Sequence, residues 1–103
     1  MAIKVTIFLP EKDNDGRDLS AEIRAFEDEC WVAFGGWTLV GYFKGVWRME
    51  SGARQTDINV VYMVVVEDDE LSHLEAIVRS FKSKTTQEKI FVEVAMDADI
   101  RFI

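Results

Sequence analysis

The residues best able to do chemistry gather in one stretch. Residues 35–57 hold five of the six glycines, two of the three tryptophans and the only net positive charge along the chain, +1. Trp37, Tyr42, Trp47 and Arg48 lie there. Such residues can line a pocket, the rings supplying apolar contact and the guanidinium a partner for an anion. The competing reading is an edge strand whose aromatics cover core or an interface, where tryptophans are common anchors. Arg54, Gln87 and Lys89 complete the candidate ligand-binding set, with Lys44 and Lys84 as further anion partners. An ordinary solvated surface offers the same cations, and that plainer reading carries more weight.

Other reactive residues stand alone. Residues 11–22 place Asp13, Asp15, Gly16 and Glu22 on the third, fifth, sixth and twelfth positions of a calcium-loop template. Glu11 replaces the usual first aspartate, and a strand precedes the loop in place of a helix, so a solvated acidic loop with a helix cap is favoured. The single histidine, His73, sits off the centre of a helical stripe with no nucleophile in a motif beside it. Cys30 falls on an apolar stripe, next to Asp28 and Glu29, which suppress thiolate formation. No Walker loop, Gly-x-Gly-x-x-Gly or Gly-x-Ser-x-Gly occurs. No catalytic residue, metal site or cofactor is expected.

Bulk properties narrow the partners. The 103 residues are 49% apolar and carry a net charge of −7. That size and composition fit one folded domain over 1–103. Segments of −4 each, over 1–34 and 58–103, flank the positive stretch. Nucleic-acid binding needs a basic footprint, and so does adhesion to an anionic bilayer; neither partner is expected. A single Cys excludes an intrachain disulfide. The longest apolar run, Val60–Val66, is seven residues, against roughly 20 for a membrane span. Met1–Leu9 lacks the pattern of a secretory leader, and a cytoplasmic location is expected.

The elements that would position these residues follow from periodicity. Ile3, Val5, Ile7 and Leu9 alternate along a first strand that Pro10 stops. Leu19, Ile23, Phe26 and Cys30 form a helical stripe from an Asp18 cap to Gly35-Gly36. Trp37–Arg48 reads as a strand in which Gly41 and Gly45 mark bulges or close approach. Met49–Asp57 is a connection with a turn at Gly52. Ile58–Val66 is a strand apolar on both faces. Glu67–Glu70 opens a second helix striped by Leu71, Leu74, Ile77, Val78 and Phe81. Lys89–Met96 is the last strand, with a short strand possible at Ile100–Ile103. The order βαββαβ specifies an α+β, ferredoxin-like split βαβ fold: a four-stranded antiparallel sheet, two helices on one face, first and third strands central. The other face then exposes Phe8, Val61, Met63, Val65 and Phe91. An open apolar face marks an interaction surface, so a homo-oligomer, dimer or trimer, is expected.

Two segments resemble known proteins. Residues 57–94, from Asp57-Ile58-Asn59-Val60 to Lys89-Ile90-Phe91-Val92, resemble the C-terminal half of PII signalling proteins and their PII-like relatives. Gly36-Trp37-Thr38, Gly45-Val46-Trp47-Arg48 and Thr86-Gln87-Glu88-Lys89-Ile90 resemble an uncharacterised bacterial ferredoxin-like family. The PII resemblance implies an oligomer that binds adenine nucleotides between subunits through a glycine-rich segment before the last strand. Here that segment, Lys82–Glu88, contains no glycine, and the hairpin connection is short, so nucleotide binding does not carry over. The expectation is a non-enzymatic oligomeric module that senses a small ligand, such as an anion, or docks on a partner protein. The alternative is a small cofactor-free oxygenase or isomerase on a dimeric ferredoxin-like fold.

Overall fold

A computed structural model describes residues 1–96 and 99–103. Its elements are β1 (Ala2–Pro10), α1 (Ser20–Phe34), β2 (Thr38–Arg48), β3 (Arg54–Glu67), α2 (Leu71–Ser83) and β4 (Phe91–Ala95). A 3-10 turn over Asp68–Glu70 leads into α2. The four strands form one antiparallel sheet in the order β2-β3-β1-β4. The ferredoxin-like arrangement expected from the element order is therefore the fold, with β1 and β3 central.

Strand alternation builds the core. Ile3, Val5, Ile7 and Leu9 of β1 and Val60, Tyr62, Val64 and Val66 of β3 are all buried on the face that meets the helices. Helix α1 inserts Ile23, Phe26 and Cys30 into that face, and α2 inserts Leu74, Ile77, Val78 and Phe81. Each such side chain contributes roughly 1.5–3 kcal/mol of apolar burial. Gly35 ends α1 in the left-handed region, φ 79°, and its N–H donates to the Trp31 carbonyl at 3.0 Å.

Several boundaries move. Helix α1 starts at Ser20, not Asp18; the Asp18 carboxylate, two residues before the helix, accepts from the Ser20 N–H and hydroxyl. Strand β4 starts at Phe91, two residues later than expected, and Ile100–Ile103 form no strand. The expected tail from Asp97 begins outside the described residues. The largest shift is in β3, which begins at Arg54, not Ile58. Arg54-Gln55-Thr56-Asp57 are polar and gain no core contact, yet they pair with β2 from Gly45↔Asp57 to Arg48↔Arg54. The turn at Gly52 (φ 87°) is as expected, closed by Gly52 N–H to the Met49 carbonyl at 2.9 Å.

That extension makes an arm. Strand β1 ends at the pair Pro10↔Asn59, so β3 residues before Asn59 pair with β2 alone. The bulge expected in β2 falls at Leu39/Gly41.

Candidate functional site

The arm and the start of β4 enclose a cleft on the face of the sheet opposite the helices. Phe8, paired with Phe91 on one side and Val61 on the other, floors it. Phe8 and Phe91 meet edge to face with centroids 5.0 Å apart, and Trp47 leans across from the arm to within 6.2 Å of Phe91. The cavity measures about 470 Å³ and opens to solvent.

Four of the seven candidate residues line this cleft: Trp47, Arg48, Gln87 and Lys89. Trp37 does not; its ring stacks edge-on against Tyr62, a core residue of the helix-facing side, at 5.5 Å. Tyr42 pairs with Val60 and so shares that same side, where it is 62% exposed. Arg54 sits opposite Arg48 at the arm's end and is not among the lining residues. The central stretch thus divides between two faces of one strand, because period-two alternation separates Trp47 from Tyr42.

Gly45 is the close approach expected in β2. A Cβ there would stand 2.9 Å from Trp47 Nε1 and 3.0 Å from Asn59 Nδ2. Glycine lets the indole fold back over the strand beside the Asn59 carboxamide. Asn59 is 5% exposed and lines the cleft, yet it escaped notice inside a strand read as apolar. The signal was there: a single amide interrupts Ile58-Asn59-Val60.

The wall holding Gln87 and Lys89 is fixed by Asp13. This residue is only 4% exposed, against the solvated role expected of its loop. Its carboxylate accepts from Thr86 N–H (3.0 Å), Thr86 Oγ1 (2.7 Å), Gln87 Nε2 (3.2 Å) and Arg17 Nη2 (3.4 Å). Arg17 also donates to Glu22 Oε1 at 3.1 Å and to the Lys84 carbonyl at 2.8 Å. Burial alone would raise the Asp13 pKa, but the bonds from Thr86, Asn14 and Gln87 outweigh it and hold it at about 2. Of the calcium-template residues, Asp13 and, through Arg17, Glu22 are engaged in a clip between the β1–α1 and α2–β4 connections, while Asp15 accepts from the Arg17 N–H within its own loop at 2.9 Å. Among the described residues, no three His, Cys, Asp or Glu side chains group to hold a metal.

His73 is exposed on α2 and stacks edge-on to Phe34 at 5.5 Å, away from the cleft. The Cys30 thiol is pushed up to about 12, chiefly by burial and then by the Glu29 charge. Asp28, expected to share that effect, is not among its causes.

No family model matches this sequence, and no curated protein matches it. Among solved structures, the fold is similar to the divalent cation tolerance protein CutA1 from Thermus thermophilus. The TM-score is 0.68 over 98% of this chain and 88% of that one, at 13% identity. What the two share is the ferredoxin-like βαββαβ fold.

Proposed function

We propose that the protein is a non-enzymatic, self-associating module, a dimer or trimer, that senses a small ligand or docks a partner protein at the open face of its sheet. The arm carries this reading. Its sides both expose apolar groups: Phe43 and Trp47 toward the cleft, Tyr42, Val46 and Ile58 on the reverse. An isolated two-stranded hairpin is marginal in water, and apolar patches of this kind mark contact surfaces. A second copy covering the arm resolves both problems. The fold likeness to CutA1 and the resemblance of residues 57–94 to PII-like proteins support the same reading.

The cleft supports a ligand-sensing role. It is open and of a size that suits small molecules, about 300–1,000 Å³. The oxygenase or isomerase alternative looks for a closed apolar cavity holding His73 or a carboxylate pair; this cleft is open and His73 lies outside it, although Glu50, Asp57 and Glu88 line it. Among the described residues, no helix is long and apolar enough to cross a membrane.

Amide hydrogen exchange of the arm tests the association. Residues 43–48 and 54–58 should be protected at high protein concentration and lose protection on dilution. Concentration-independent exchange in the arm overturns the reading.

A further inference from the structure

We propose that the open-face cleft binds a small, uncharged, planar ring bearing an amide edge, a lactam or carboxamide, with the Asn59 carboxamide pairing to that edge and the ring lying against the aromatic wall of Phe8, Phe91 and Trp47. The inference rests on reading this cleft as the ligand site.

Four amide side chains line the cleft. Three are engaged: Gln55 Nε2 donates to Asp57 Oδ1 at 3.0 Å, Gln87 Nε2 to Asn14 Oδ1 at 3.1 Å, and Asn14 Nδ2 to the Thr86 carbonyl at 2.9 Å. Asn59, the most buried at 5% exposed, makes no side-chain hydrogen bond among the described residues. Its amide atoms are not sealed from solvent, so they are free to bond a molecule that enters the cleft. A carboxamide presents a donor and an acceptor side by side, which suits a bidentate pair with another amide edge.

Two further observations set the ligand's shape and charge. Gly45 lets the Trp47 indole and the Asn59 carboxamide settle side by side over the strand, since a Cβ there would stand 2.9 Å from Trp47 Nε1 and 3.0 Å from Asn59 Nδ2. The walls that remain are aromatic, Phe8, Phe91 and Trp47, and favour a flat ring. The charged lining comprises two cations, Arg48 and Lys89, and three acids, Glu50, Asp57 and Glu88. A balance of −1 disfavours a polyanion and suits a neutral ligand.

The test is calorimetric titration of the full chain with nicotinamide and uracil, and with benzoate as an isostere that lacks the amide donor and adds a charge. The two amides should bind at millimolar or tighter affinity, and benzoate about tenfold weaker. Asn59→Leu should weaken amide binding about tenfold with an unchanged molar mass. Gly45→Ala, whose Cβ would push the Trp47 indole and the Asn59 carboxamide out of their positions, should do the same and stands in if Asn59→Leu fails to fold. The proposal is overturned by no binding of either amide at millimolar concentration, by equal binding of benzoate, or by unchanged affinity in either folded variant. A change of molar mass in Asn59→Leu also overturns it, because the carboxamide would then belong to a contact between copies. A monomeric protein that still binds the amides leaves this inference standing and removes the self-association reading alone.

Discussion

Replacing Asp13 with asparagine tests how the cleft is held in shape. The carboxylate accepts four bonds from Thr86, Gln87 and Arg17 and a fifth from the Asn14 N–H at 2.9 Å. A carboxyl held at about 2 in the fold and 3.8 ordinarily contributes at most about 2.4 kcal/mol at neutral pH. The clip lies in connections beside solvent, and screening reduces this to about 1–2 kcal/mol. The substituted carboxamide would also turn an NH₂ toward donors that a carboxylate oxygen now accepts. In a domain of this size each kcal/mol moves the melting temperature by about 4–8 °C. Asp13→Asn should therefore melt roughly 5–15 °C below the parent at pH 7, by far-ultraviolet circular dichroism. The folded pKa is lowered, so the contribution is complete above pH ~4 and is lost as pH falls through about 2. The gap between the proteins should shrink across that window. A variant that melts with the parent at pH 7, or a gap equally wide at pH ~2, refutes the clip.

Three other outcomes follow from buried groups and from the arm. With its thiol pushed up to about 12, Cys30 should be about 10⁻⁴ thiolate at pH 8; a disulfide reagent should label it only as the protein unfolds, and rapid labelling of the native chain contradicts its burial. Burial, then the bond to Glu27, raises the Tyr62 phenol well above its ordinary range. Tyr62→Phe should cost about 1 kcal/mol in urea titration, and an unchanged midpoint would show that the bond adds nothing. Val46 is 54% exposed on the arm. Val46→Glu should keep the fold of the single chain within about 0.5 kcal/mol yet sediment as a smaller species than the parent.

The layout of the fold was legible because its core is periodic. Ile3, Val5, Ile7 and Leu9 alternate without exception, and Ile23, Phe26 and Cys30 recur at helical steps. Gly35, Gly45 and Gly52 each marked a cap, a close approach or a turn that the backbone confirms. Polar pairing was not legible. Arg54–Asp57 read as a loop because a strand that pairs only with another edge strand buries neither face. The role of Asp13 depends on Thr86, 73 residues away, a contact that no local pattern encodes. Nor could composition assign Trp37 and Tyr42 to one side of β2 and Trp47 to the other. Register decides this, and the bulge at Leu39/Gly41 shifts the register between them.

The central claim is that a second copy covers the arm, and the molar mass in solution tests it most directly. Static light scattering of the unmodified chain at micromolar concentration should return two or three times 11.8 kDa. A monodisperse species of 11.8 kDa would leave Tyr42, Val46 and Ile58 facing water and would contradict the account.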